Sequence, residues 1–169
     1  MSFKITAVWK KVTPELKQEL REFWERNQAL ATGEQADMRA EQAVCIGRDK
    51  DGKICAVGTA QLRILPRLRQ PTYYYRQFFD PSIRGQQQTV PFAKRVVKAL
   101  QEYNAKLPEA ESIGLVVELQ NKMLAGRYAL AHHPEQGFTF IGYSPRNCPM
   151  FVTYFEGATL KPPAPLRRA

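Results

Sequence analysis

Phe78-Phe79-Asp80-Pro81-Ser82-Ile83-Arg84-Gly85-Gln86-Gln87-Gln88-Thr89 divides an aromatic run, Tyr73 to Phe79, from an amphipathic run, Val90 to Leu107. Tyr- and Phe-rich runs favour strands. The second run places Phe92, Val96, Val97, Leu100 and Tyr103 at helical spacing, with Pro91 near its start, where proline is tolerated. A strand that breaks into a polar loop and reopens as a helix leaves backbone N–H groups directed outward. The positive end of the helix dipole lies behind them, so such a turn is suited to an anion, above all a phosphate.

The residues before this stretch build outward from it. Phe3 to Trp9 alternates with period two and reads as a first strand. Thr13-Pro14-Glu15 opens a helix, with Thr13 as cap and Pro14 in the first helical position; Leu16, Leu20, Phe23, Trp24 and Leu30 make its apolar face. Thr32-Gly33 interrupts that helix, and Glu34 to Gln42 reads as a shorter, mostly polar one. Ala43–Arg48 and Lys53–Ala60 flank Asp49-Lys50-Asp51-Gly52, a hairpin signal, and the second of these strands is expected to run toward Leu65 before Pro66 stops it.

Beyond the amphipathic run, Ile113 to Leu119 is almost wholly apolar and suits a strand covered on both faces. A short helix is expected over Asn121 to Ala131, closed by the loop His132-His133-Pro134. Phe138–Tyr143 and Met150–Phe155 read as the last two strands. The order is therefore strand, two helices, three strands, helix, strand, helix, two strands. A single domain over 1–160 is expected, followed by a proline-rich basic tail over 161–169, extended or disordered.

Composition narrows the partners. The chain has 169 residues, is 44% hydrophobic, and carries 25 basic against 16 acidic residues, a net charge of +9. Such a charge attracts nucleotide phosphates, nucleic acid or acidic proteins without choosing among them. The basic residues are scattered, with small clusters at Arg63, Arg67 and Arg69 and at Arg167 and Arg168, so nucleic acid is a partner the charge admits but does not favour. No apolar run approaches the roughly 20 residues of a membrane span. Met1-Ser2-Phe3-Lys4-Ile5-Thr6 lacks a signal-peptide pattern, and a cytoplasmic, membrane-free protein is expected. Cys45, Cys55 and Cys148 lack metal-ligand spacing; Cys45 and Cys55 fall in apolar strands and read as buried, inert thiols.

The element order resembles that of the GCN5-related N-acetyltransferase (GNAT) family across most of the chain. Asp80-Pro81-Ser82-Ile83-Arg84-Gly85 resembles the family's strand-to-loop signature. Asn121, Tyr128 seven residues later, and Gly137-Phe138 resemble its later asparagine, tyrosine and glycine-phenylalanine pattern. The resemblance implies an α/β (α+β) fold with a mixed, mostly antiparallel sheet of about seven strands flanked by about four helices. It also implies acetyl-CoA, or another acyl-CoA, as co-substrate. The pyrophosphate would lie on the loop Arg84, Gly85, Gln86, Gln87, Gln88 and Thr89, with Phe78, Phe79 and Asn121 completing the binding set. No metal is implied. A homodimer is compatible with the family, in which C-terminal strands can pair between subunits.

This chain departs from the family at two places. The family loop carries glutamine or arginine, two free positions, glycine, one free position, then glycine or alanine. Here Arg84 holds the first place, but Gln87 replaces the glycine and Thr89 the small residue. Glycine there admits positive φ and keeps a Cβ out of the cradle, so Gln87 must turn its side chain outward or narrow the site. The segment between Tyr128 and Gly137 is also longer than usual.

Transfer of an acyl group to an amine requires loss of a proton from the amine, a fixed N–H donor for the carbonyl oxygen, and a proton for the departing thiolate. The resemblance makes Tyr128 the candidate proton donor; the alternative is a core-facing aromatic. Glu118, inside an apolar strand, is the candidate base; alternatively it faces solvent or pairs with an arginine. His132 and His133 are adjacent, point apart and read as loop residues rather than a metal pair. Tyr73, Tyr74 and Tyr75 either line an acceptor cleft or pack the sheet. The leading expectation is an acyl-CoA-dependent N-acyltransferase. The competing one, motivated by Gln87, Thr89, the +9 charge and the basic tail, is a GNAT-fold binding module for an acidic protein or nucleic acid.

Overall fold

A computed structural model of the chain describes residues 3–29 and 33–166. Its elements are β1 (Lys4–Ala7), α1 (Pro14–Arg26), α2 (Gly33–Glu41), β2 (Ala43–Arg48), β3 (Ile54–Ile64), β4 (Pro71–Phe79), a 3-10 turn (Pro81–Ile83), α3 (Thr89–Lys106), β5 (Gly114–Glu118), α4 (Lys122–Arg127), β6 (His132–His133), β7 (Phe138–Tyr143) and β8 (Pro149–Tyr154). The eight strands form one sheet in the order β1-β2-β3-β4-β5-β8-β7-β6. β1–β2, β2–β3, β5–β8, β7–β8 and β6–β7 are antiparallel, while β4 and β5 run parallel. The fold is thus the expected mixed, mostly antiparallel sheet with four helices. Leu30, Thr32, Arg167 and Arg168, and the start of the expected N-terminal pattern at Met1 and Ser2, lie outside the described residues.

The eighth strand corrects the expected seven. It is His132–His133, which the sequence reading left in a loop; the pair joins β7 in the register His132↔Thr139 and His133↔Phe138. The same pairing shortens the expected helix over 121–131. The Ala131 carbonyl accepts from the Phe140 amide at 2.8 Å, so the chain after Tyr128 is drawn into the sheet. A two-residue strand carries no period to read.

The contacts divide into two compact units. One comprises the chain up to Ala60 with Arg76–Leu100; the other comprises Gln61–Tyr75 with the chain from Gln101 onward. In the first, Thr13 caps α1 by accepting from the Leu16 amide at 3.1 Å, with Pro14 following as anticipated. The helix lays Leu16, Leu20, Phe23 and Trp24 against Ala36 and Ala40 of α2 and against Ala43, Ile46, Ile54 and Val57 of the sheet. Asp49 organises the hairpin: its Oδ1 accepts from the amides of Asp51 and Lys53 at 2.9 and 3.0 Å. Cys45 and Cys55 are buried here. Burial pushes their thiols up to about 12 and about 11, so both stay protonated and unreactive.

In the second unit, β5 lies between β4 and β8 and buries Leu115 and Val116 completely. The buried Asn104 fixes the approach to β5: its Nδ2 donates to the Ser112 carbonyl at 2.9 Å, and its Oδ1 accepts from the amides of Glu111 and Ser112. The proline-rich segment is extended and attached. Gln70 and Lys161 exchange two hydrogen bonds, 2.8 and 2.9 Å, and Arg69 does the same with Ala164. No helix among the described residues is long and apolar enough to cross a membrane.

At Gly114 the β8 backbone lies close against β5: a Cβ there would run into the Thr153 carbonyl oxygen. Because that obstacle is backbone, Gly114→Ala is expected to destabilise the protein by roughly 1–3 kcal/mol, as overpacking does. A chemical denaturation midpoint equal to wild type would show that the two strands separate without cost.

Candidate functional site

The loop between β4 and α3 belongs to the first unit and is built on Asp80. The Asp80 amide donates to the Cys55 carbonyl of β3 at 2.8 Å, and its Oδ1 accepts from the Ser82 amide at 2.9 Å, closing the 3-10 turn. Its Oδ2 lies 3.5 Å from Arg26 Nη2. Partial burial pushes this carboxyl up, but hydrogen bonds from Ser82, Asn27 and Arg26 outweigh it and hold the group below the ordinary aspartate value. Ile83 anchors the turn by burial. Arg84 then turns back: its Nε donates to the Phe79 carbonyl at 3.0 Å, and its guanidinium sits 5.2 Å over the Phe78 ring. Phe78 packs edge-on to Phe23, and Phe79 edge-on to Phe3 and Phe92, so both aromatics serve the core while their backbone leads into the turn.

Gly85 has φ +81° and Gln87 φ +57°. Two left-handed residues at alternate positions make the backbone concave and turn successive amides to one side. Gln87 therefore adopts the conformation that glycine would supply, and its side chain is exposed. A left-handed conformation costs a non-glycine residue roughly 1–2 kcal/mol. Gln86 Nε2 donates back to the Ser82 carbonyl at 3.0 Å, with its Oε1 buried and unpartnered, and Gln88 Nε2 reaches the Gln86 carbonyl at 3.3 Å.

Gln88 starts α3: its carbonyl accepts from the Phe92 amide at 3.0 Å. Thr89 is the first helical residue, and the first turn holds no acidic side chain. Among the described residues no acceptor engages the amides of Gly85, Gln86, Gln87 or Gln88. Unanswered amides before a helix N-terminus favour an anion.

The other candidates lie in the second unit. Glu118 ends β5, and its side chain is only 6% exposed. Its Oε2 accepts from the Tyr74 hydroxyl at 2.8 Å; its Oε1 accepts from Ser144 Oγ at 3.1 Å and lies 3.3 Å from Arg146 Nε. Glu118 is thus the arginine-paired residue, not the solvent-facing one. Ser144 and Arg146 escaped the sequence reading. The only hint was a turn composition, Ser144-Pro145-Arg146-Asn147, which marks a turn but not what it meets.

Tyr73, Tyr74 and Tyr75 are buried, in keeping with sheet packing. The Tyr73 hydroxyl donates to Glu111 at 2.6 Å, and burial together with that carboxylate pushes it well above the usual phenol range. Asn121 caps α4, its Oδ1 accepting from the amides of Met123 and Leu124 at 2.9 and 3.4 Å. Tyr128 closes that six-residue helix, half-buried, with its ring edge-on to His133 at 5.5 Å; His133 in turn meets Phe151 at the same distance. His132 Nδ1 is 2.9 Å from Thr139 Oγ1.

No protein-family model matches this chain, and no curated protein matches it by sequence. Solved structures do match. A phosphinothricin acetyltransferase from Sinorhizobium meliloti, in complex with acetyl-CoA, is 12% identical; the match covers 97% of this chain and 94% of that one, with TM-score 0.64. A ribosomal-protein-S5-alanine acetyltransferase from Vibrio fischeri is 9% identical, over 94% and 96% of the two chains, also at 0.64. A GNAT-family acetyltransferase from Streptococcus pneumoniae is 12% identical, over 91% and 99%, at 0.59. The chain has the GNAT fold. Identities this low carry the architecture alone, so residue roles in this GNAT-fold protein rest on its own geometry.

Asp80 provides a test of the loop's foundation. Its folded-state pKa is lowered, so the stability it contributes is present above its unfolded value near 3.9 and is lost as pH falls through the folded one. Wild type is expected to lose stability more steeply than Asp80→Asn as pH falls below about 4, the ordinary aspartate value. Parallel acid limbs in denaturant titrations would show that the loop does not depend on this charge.

Proposed function

We propose that this protein is an acyl-CoA-dependent N-acyltransferase that passes an acyl group, most simply acetyl, directly to an amine. The observation that carries the proposal is the stretch 85–88, where amides without acceptors among the described residues, shaped by Gly85 and Gln87, precede a helix with no acid in its first turn. That chemistry suits the pyrophosphate of a coenzyme A. An added Cβ at Gly85 would meet open space, so the cradle is not filled by neighbouring atoms. The S. meliloti protein of the same fold is bound to acetyl-CoA, which supports the same ligand class here.

On this reading the amides of Gly85 to Gln88 hold the phosphates, flanked by Arg84 and Thr89, with Gln87 contributing backbone only. The end of β4 at Phe78 and Phe79 supplies the N–H donor to the carbonyl oxygen. The bound thioester provides an activated carbonyl. Tyr128 gives a proton to the departing sulfur, and Glu118 is the base toward the amine, directly or through water. Asn121 acts by starting the helix that Tyr128 ends. The positive φ of Gln87 supports this reading over the binding module, because it is the conformation glycine would supply.

Isothermal titration with acetyl-CoA tests this. Binding is expected in wild type, and Gly85→Val, which places a β-branched residue at positive φ, should weaken it at least about tenfold. No heat at millimolar acetyl-CoA, together with salt-sensitive retention on nucleic acid, would replace the proposal with the binding module. For Tyr128→Phe, thiol release with a panel of amines should fall by about tenfold or more at unchanged acetyl-CoA affinity. Undiminished release would remove Tyr128 from the mechanism.

A further inference from the structure

The ion pair at Glu118 is lopsided. The carboxylate side chain is 6% exposed, while its arginine partner is 62% exposed and reaches it through Nε alone, at 3.3 Å. Arginine pairs are strongest as two parallel N–H···O bonds from a planar fork; this one is not of that kind. Arg146 comes from the tip of the β7–β8 turn, which ties itself together independently of the pair. The Ser144 amide donates to the Cys148 carbonyl at 2.9 Å, the Asn147 amide to the Ser144 carbonyl at 2.8 Å, and the Cys148 amide to Ser144 Oγ at 3.2 Å. Removing Arg146 from Glu118 would leave that turn intact.

The other two donors are fixed more firmly. Tyr74 is buried, and its hydroxyl reaches Oε2 at 2.8 Å; Ser144 is buried, and its Oγ reaches Oε1 at 3.1 Å. They orient the carboxylate but carry no charge to balance it. A carboxylate this enclosed requires a cation. Among the described residues that cation is Arg146, whose guanidinium is mostly in water.

We propose that Glu118, oriented by Tyr74 and Ser144, is a subsite for an alkylammonium or guanidinium group, and that Arg146 is its displaceable internal occupant. The subsite is a local exception on a chain of net charge +9, which otherwise repels cations. It therefore selects a ligand with one cationic end rather than a polycation. Naming that ligand as the amine acceptor rests on the acyltransferase reading; the cation subsite itself does not. Arg146 thereby becomes a specificity-determining residue, since an incoming cation must compete with it.

The Nε–Hε resonance of Arg146 reports the exchange directly. In nitrogen-15-labelled protein it is assigned by its loss in Arg146→Lys, and butylammonium chloride is then titrated in, with sodium chloride and butanol as controls. A saturable shift with butylammonium alone is expected, and none in Glu118→Gln. Arg146→Ala, which alters an exposed side chain, should bind butylammonium about two- to fivefold more tightly, the range set by a largely solvated ion pair. An Arg146 resonance that stays still, or follows sodium chloride equally, overturns the proposal. So does unchanged affinity in Arg146→Ala, which keeps the test open should Glu118→Gln fail to fold. The acetyl-CoA titration separates the two readings. Acetyl-CoA binding with a silent Arg146 sinks only the subsite, whereas a responsive Arg146 without acetyl-CoA binding sinks only the acyltransfer reading.

Discussion

Asp80 is the residue through which β3, α1 and the loop are joined. Its amide is bonded to Cys55 in β3, its carboxylate closes the 3-10 turn through Ser82, and Arg26 at the end of α1 lies against it. Each partner constrains a different coordinate: where β4 ends, how sharply the chain turns, and how the turn sits against the helix. With those set, Pro81 supplies a fixed φ and Ile83 a buried foothold. The next freedom in the chain falls at Gly85. The shape of the loop is therefore a consequence of how β4 is terminated, and the Asp80 carboxylate, partly buried, is kept charged by the donors it organises.

Left-handed backbone alone does not mark a functional turn. Lys10, Gln28, Arg69, Gln87 and Asn147 all have positive φ among the described residues. Gln28 closes α1, with amides at 28 and 29 returning to Glu25 and Trp24, in the manner of a common helix terminus. Asn147 sits in the β7–β8 turn, and Arg69 is held by Ala164. At Gln28, Arg69 and Asn147 the amide returns to a carbonyl three or four residues back, to Glu25, Leu65 and Ser144. At Gln87 the amides on either side have no acceptor among the described residues, so the strain does not complete anything within the chain. Strain that is kept without an internal reason is what directs attention to an external one.

Much of this was legible in the sequence because the signals were local. Alternation in 3–9, the Thr13-Pro14 start, the Asp49–Gly52 turn and the apolar run at 113–119 each predict their element from neighbours alone. What escaped came from residues far apart in the chain. β6 is two residues whose strand character is conferred by β7. The φ of Gln87 was hidden because only glycine advertises such a conformation. The partners of Glu118 were invisible for a similar reason: Tyr74 reads as sheet and Arg146 as surface, and neither has a pattern that points to the other.

The two candidate sites differ in how charge is handled. In the first unit the loop presents backbone dipoles and leaves the helix end without an acid, so it favours an anion by withholding negative charge. In the second, Glu118 holds negative charge in an enclosed position and is answered by a solvated arginine. The loop thus suits an anion and the carboxylate a cation, each within its own unit. If the carboxylate were exposed, the +9 surface and salt would screen it, and it would have little power to select a cation. If it were paired by a buried bidentate arginine, no ligand could compete. The observed pairing lies between these limits: the carboxylate is enclosed, and its arginine partner is largely solvated.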